Sequence, residues 1–274
     1  MPPAMPETRT PQPGRLRRVN RSLPAFRAIL ALILREMSTR YGRSPGGYAW
    51  ALLEPLGGIL ILSFGFSLLL RTPSLGNSFL LFYASGYLPF TLYQDLSNKI
   101  ARSIGFSRAL LYYPAVTWLD AVLARFVLNA LTGILVTYVL LFAILAAADT
   151  RVTVDMGPVI AAIGMSMILG LGVGMLNCAL MGLFPVWETV WSIAMRPLFI
   201  VSGVFFLYED MPANVQAILY WVPLIHITGE MRSGIYPSYA ADYVSLAYVA
   251  AIALICLVMG LILMGRYHRT ILNA

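Results

Sequence analysis

Three arginines, Arg35, Arg40 and Arg43, stand within one nine-residue stretch, with Tyr41 between them and Glu54 shortly after. A guanidinium offers a planar fork of donors that can bind phosphate bidentately, which suits the headgroup surface of a phospholipid bilayer. The plainer reading is anchoring, because the cytoplasmic flanks of membrane spans retain basic residues. A second pair, His226 and Glu230, lies four residues apart and so on one helical face. Zinc sites need three or four protein ligands and no others lie nearby, so a hydrogen-bonded pair holding a turn is expected there, and no metal. Cys178 and Cys256 fall inside apolar runs, where they act as small hydrophobes. Neither a P-loop nor a dinucleotide-binding glycine pattern occurs, and no convergent carboxylates mark a catalytic set. No catalytic residue is expected, and ATP hydrolysis, if used, belongs to another polypeptide.

The elements that position these groups follow from composition. Of 274 residues 59% are hydrophobic and 11% charged, against about 25% charged in an ordinary soluble domain. Such a chain is an integral membrane protein. The net charge of +7 comes from basic residues that are all arginine except Lys99; they lie mostly outside the apolar runs, which points to a phospholipid surface and not to nucleic acid. Residues 1–21 are rich in Pro and Arg and are expected to be disordered. The short apolar piece at 28–34, interrupted by Arg27 and Arg35, does not read as a cleaved signal peptide.

An all-α fold is expected over 22–274, with six transmembrane helices at about 49–70, 79–95, 118–148, 156–184, 190–208 and 244–265, each near the ~20 residues that cross a bilayer core. With the N-terminus inside, fourteen basic residues lie on the cytoplasmic side and Arg71, Arg151 and Arg232 outside, which puts both termini in the cytoplasm. Residues 23–43 repeat apolar side chains near a 3.6 period and predict an interfacial amphipathic helix, ended by Ser44-Pro45-Gly46-Gly47. Another short amphipathic helix follows the second span. Between the fifth and sixth spans, 212–220 and 224–234 flank Trp221-Val222-Pro223 and predict a re-entrant helical hairpin.

Glu54, Asp120, Arg125, Glu188 and Arg196 lie in or beside spans, where an unpaired charge costs about 2.5–3.5 kcal/mol. They line a path, pair between subunits, or form ion pairs near the headgroups; for Asp120 and Arg125 the structural pair is preferred. Gly164, Gly170, Gly172 and Gly174 read as a close-packing surface. Tyr83, Tyr87, Phe90 and Tyr93, with Phe199, Phe205, Phe206 and Tyr208, form either a packing belt or a lining on which sugar rings stack.

The segments LREMSTRYGRSPGGYAWALLEP (34–55), LLYYPAVTWLDAVLAR (110–125), MRPLFIVSGVFF (195–206) and YWVPLIHITGEMRSGIY (220–236) resemble ABC-2 type transporter permeases, and within them capsular polysaccharide export permeases. The resemblance implies a homodimer in the bacterial inner membrane, bound to two copies of an ATPase that carries ATP and Mg, with no cofactor on this chain. It implies a lipid-linked polysaccharide as cargo, with periplasmic co-polymerase and outer-membrane export proteins as further partners. The cytoplasmic gate would be Arg35, Arg40, Tyr41, Arg43 and Glu54. The channel lining would be Tyr83, Tyr87, Phe90, Tyr93, Phe199, Phe205 and Phe206. Coupling to the ATPase would run through Ser103, Ile104, Phe106, Arg108, Leu110 and Leu111. The periplasmic hairpin would use Pro212, Trp221, Pro223, His226 and Glu230. An ABC-2 exporter of O-antigen, teichoic acid or a drug shares this architecture. A secondary transporter would need repeated halves, which are not seen.

Overall fold

The computed structural model describes residues 24–41, 47, 49–112, 116–147 and 153–273. The proline- and arginine-rich N-terminus, the Ser44-Pro45-Gly46 turn, Arg43 and Arg151, and the side chains of Arg40 and Tyr41, lie outside the described residues. Ten α-helices follow in order: α1 (Pro24–Tyr41), α2 (Ala49–Ser67), α3 (Phe79–Ala101), α4 (Ser103–Leu111), α5 (Trp118–Ala147), α6 (Met156–Leu183), α7 (Trp187–Val201), α8 (Ala213–Leu219), α9 (Pro223–Ile235) and α10 (Leu246–Asn273). No strand occurs among the described residues. Among the described residues four helices, α2, α5, α6 and α10, are long and apolar enough to cross a membrane. The chain is therefore an integral, multi-pass membrane protein.

Local chemistry sets several helix ends. Thr117 and Asp120 form a reciprocal capping box at the start of α5: the Asp120 N–H donates to Thr117 Oγ1 at 3.2 Å and the Thr117 N–H to Asp120 Oδ2 at 2.9 Å. For Asp120 this corrects the expected structural ion pair, because the carboxylate is already occupied three residues away; Arg125 does form one, with Glu36 at 3.3 Å. Thr117→Ala should cost about 1 kcal/mol, seen as earlier thermal unfolding in detergent with unchanged helix content. Asp155 caps α6 through the Gly157 N–H at 2.9 Å. Pro223 occupies the first turn of α9, where its missing N–H has no cost.

The second apolar run continues through Pro89 and past Lys99 to Ala101 as the single helix α3, a continuation the sequence allows. The fifth ends early, at Val201, because Gly203 adopts φ +81° and turns the chain; residues 202–207 are not helical.

The core is built on α3 and α6, with α5 and α9 against them and α10 on the far side of α6. The glycines of α6 divide between two neighbours. A Cβ on Gly170 or Gly174 would lie 2.9 Å from Leu96 Cβ or Ser97 O of α3, and one on Gly172 would meet the Ala253 carbonyl of α10. Gly164 faces open space and takes no part in this contact.

Candidate functional site

One end of the bundle gathers α1, α4, the C-terminal ends of α3, α6 and α10, and the N-terminal ends of α5 and α7. Its chemistry centres on Arg125. The guanidinium Nε lies 3.3 Å from Glu36 Oε2 of α1, Nη1 donates to the Lys99 carbonyl of α3 at 2.8 Å, and its plane sits 4.1 Å from the Phe106 ring centroid of α4. Glu36 and Arg125 are both buried, so this pair is shielded from solvent screening. Arg35 lies on the other approach to the same ring, at 5.6 Å. A cavity of about 1000 Å³ opens here, lined by Glu36, Lys99, Arg102, Arg108, Arg125 and Glu188 among others. Arg102 and Glu188 form an exposed ion pair at 2.9 Å across its rim.

Helix α4 has two faces. Ser103 and Ile104 are buried, with Ser103 Oγ 3.6 Å from Cys178 Sγ. Leu110 and Leu111 are half-buried, and Arg108 and Tyr112 both donate to the Leu272 carbonyl at the end of α10. The outward face is Gly105, Phe106, Arg108 and Ala109. Ser103 and Ile104 thus pack α4 against the bundle.

Glu54 is not brought to Arg35. It lines a separate cavity of about 310 Å³ between α2, α3 and α5, with Trp50, Thr91, Gln94, Asn129 and Thr132. The Asp95–Lys99 ion pair, at 2.8 Å, borders both cavities.

The aromatics predicted as a lining do converge, on one seam between α2, α3 and α7. Phe199 lies 4.8 Å from Phe90, 6.1 Å from Tyr87 and 4.9 Å from Phe205, and Phe66 joins Phe205 to Tyr83. Tyr83, Phe90 and Tyr93 are buried within the chain, while Phe66, Tyr87, Phe199, Phe205 and Phe206 stay partly exposed. The seam is thus half core and half surface. Phe66, at the same 3.6 period on α2, escaped sequence reasoning because its run is apolar throughout and carries no face signal. Arg196 is exposed on α7, one turn before Phe199.

At the opposite end, α8 and α9 differ sharply. Helix α9 is embedded against α6, α3 and α10, whereas Val215, Ile218 and Trp221 on and after α8 are exposed. Pro212 precedes α8 and is exposed; Glu230 is half-buried. The expected His226–Glu230 hydrogen bond is absent. His226 Nδ1 accepts the Ser245 N–H at 3.2 Å, which leaves Nε2 to donate to the Tyr220 carbonyl at 2.8 Å. This pattern requires the neutral ring and ties α9 to the starts of α8's exit turn and α10. Among the described residues no group of three or more His, Cys, Asp or Glu could hold a metal.

Arg232, counted in the sequence only as an outer charge, is 1% exposed. Nη1 donates to the Phe206 carbonyl at 2.8 Å and Nη2 to that of Val204 at 3.2 Å, while Thr228 Oγ1 donates to Ser202 at 2.9 Å. Three alternate carbonyls of the stretch after α7 are thereby satisfied from α9. The guanidinium also lies 4.4 Å from the Phe82 ring centroid. Nearby, Tyr239 donates to the Glu209 carboxylate at 3.0 Å, and burial pushes the Tyr243 phenol up to about 12, so it remains a donor to the Ile225 carbonyl at 3.3 Å.

The chain is thus a helical membrane protein with a charged cavity at one end, an aromatic seam between α2, α3 and α7, and a packed cap at the other. It belongs to the ABC-2 type transporter family, whose model matches residues 27–236. The chain is 30% identical over 233 residues to the polysialic acid transport protein KpsM of Escherichia coli, covering 85% of this chain and 90% of that protein. It is 28% identical over 244 residues to the capsule polysaccharide export inner-membrane protein BexB of Haemophilus influenzae, and 27% over 245 to its counterpart CtrC of Neisseria meningitidis serogroup A; each match covers 89% of this chain and 92% of the relative.

Proposed function

We propose that this chain is the membrane permease of an ABC transporter that exports a lipid-linked capsular polysaccharide across the bacterial inner membrane. The observation that carries this reading is the likeness to capsule export proteins from three organisms over about nine-tenths of their length. In this reading two copies of the chain form the path and two copies of a separate ATPase drive it.

Helices α2, α3, α5, α6, α7 and α10 alternate in direction through the bundle, and all six cross the membrane, with both termini cytoplasmic. Helix α1 lies on the inner leaflet. The outward face of α4 docks on the ATPase, and α8 and α9 form a re-entrant hairpin that closes the outer end. The partly exposed Tyr87, Phe199, Phe205 and Phe206 give weak, repeated stacking along a moving polymer. Periplasmic and outer-membrane export proteins receive the product. Residues 22–274 form one transmembrane domain, preceded by the tail at 1–21.

Arg35, Arg40 and Arg43 meet the lipid-linked phosphate first. Replacing all three by Gln should lower export tenfold or more, since each charge-assisted hydrogen bond contributes about 1.5–3 kcal/mol. Membrane insertion should be unchanged, as read by protease accessibility, while surface polymer is measured by immunoassay. Normal export from the correctly inserted triple variant would assign the arginines to anchoring. Purification of the chain from its native membrane without any ATPase would overturn the transporter reading itself.

A further inference from the structure

Four elements meet at the Arg125 guanidinium: its own helix α5, Glu36 of α1, the Lys99 carbonyl of α3 and the Phe106 ring of α4. The contacts use different parts of one planar group. Its Nε lies 3.3 Å from the carboxylate as an ion pair without donating to it, its Nη1 donates to a carbonyl in the last turn of α3, where helical partners run out, and its face takes the ring. A lysine could satisfy one of these contacts at a time.

Helix α1 packs against α5. Among its described side chains only Leu32 and Glu36 are buried, while Phe26, Leu30, Leu34 and Met37 are exposed. Part of its apolar surface is thus turned away from the bundle, while Leu32 and the half-buried Ile29 and Ile33 face inward, and the Glu36–Arg125 pair is a buried charged tie between its C-terminal half and α5. Breaking a buried pair strands a charge in a shielded site, so the pair resists separation when either helix is displaced. Phe106, by contrast, sits on the outward face of α4 and is 42% exposed. A force applied to α4 from outside therefore reaches Arg125 through the ring, and α1 through the carboxylate.

We propose that Arg125 is the positioning residue that makes α1 and α4 move as one body, so that displacement of α4 carries Arg35 and its helix along the membrane surface. This rests on the reading of α4 as the face that a partner ATPase moves. The pairing converts a nucleotide-driven shift at one helix into a change at the helix that meets the cargo, a coupling between two separate sites.

The test uses the full chain with its ATPase in nanodiscs, Cys256 replaced by Ala, and spin labels introduced in pairs at Ser38→Cys on α1, Tyr112→Cys at the end of α4 and Ile218→Cys on α8. These three positions are exposed. On ATP binding the α4–α8 and α1–α8 distances should change together while the α1–α4 distance stays constant. In Glu36→Gln the α4–α8 change should persist and the α1–α8 change should vanish. Polymer exported per ATP hydrolysed should fall about tenfold, within the range of coupling between linked sites. Arg125→Lys, which keeps the charge and loses the fork, should uncouple in the same way, and Glu36→Asp should retain at least part of the coupling. A changing α1–α4 distance in the unsubstituted pair, or a Glu36→Gln chain that behaves like the parent, would overturn the proposal. If ATP leaves the α4–α8 distance unmoved, the assignment of α4 to the ATPase fails, and the proposal with it.

Discussion

Replacing Arg232 by Met is expected to destabilise the folded chain by about 3 kcal/mol, because the buried carbonyls of Val204 and Phe206 would each lose a charge-assisted hydrogen bond. Methionine fills the volume and keeps contact with Phe82, so the loss isolates the polar function. Removing a buried charge relieves some desolvation, which is why the expected figure lies below the sum of two such bonds. Lysine should recover less than half, since one ammonium cannot reach both carbonyls and stack on the ring. The readout is the reactivity of Cys178 with a thiol dye during a thermal ramp in detergent; that side chain is 2% exposed when folded. The transition should move down for Met and remain low for Lys. An unchanged transition in both would show that water or backbone rearrangement satisfies the stretch after α7.

Gly172→Leu is expected to cost about 2–4 kcal/mol, a value at the upper end for overpacking. The first carbon of the new side chain would meet the backbone of Ala253, which cannot rotate aside as a side chain can. On the facing helix Gly260 lies against the Met175 backbone, where an added Cβ would come within 2.7 Å, so α6 and α10 touch through glycine from both sides. Separating them would open the largest helix contact in the bundle and forfeit the dispersion on which membrane helices depend. Gly164→Leu is the control. Nothing lies within 4 Å of its Cβ position, and its transition should stay within about 0.5 kcal/mol of the parent. Equal losses at the two glycines would remove the Ala253 contact as the cause, since leucine is a better helix former than glycine and propensity alone would stabilise both.

Both positions show how much the chain discloses in one dimension. Membrane class, the long apolar helices and the short helix 103–111 follow from composition and period, because each is fixed by the solvent a segment must face. The capping box of Thr117 and Asp120 was equally readable, as a Thr followed three residues later by an acid before an apolar run. The glycines of α6 announced close packing, but which neighbour each one met depended on helix rotation. Arg232 gave no such signal: an outer arginine and a buried clamp look alike until the chain after α7 turns at Gly203 and lays its carbonyls beside α9.

The sequence alone determined that this protein lives in a bilayer and presents arginines before its first span, since these depend on residue type and local spacing. Tertiary structure decided the partners. It paired Arg125 with Glu36 across 89 residues and not with Asp120, set Glu54 in a cavity apart from Arg35, and buried half of the aromatic seam. The physical reason is that a charge or ring near a helix end can satisfy itself in several directions. Only the packing of the other helices leaves one of them open.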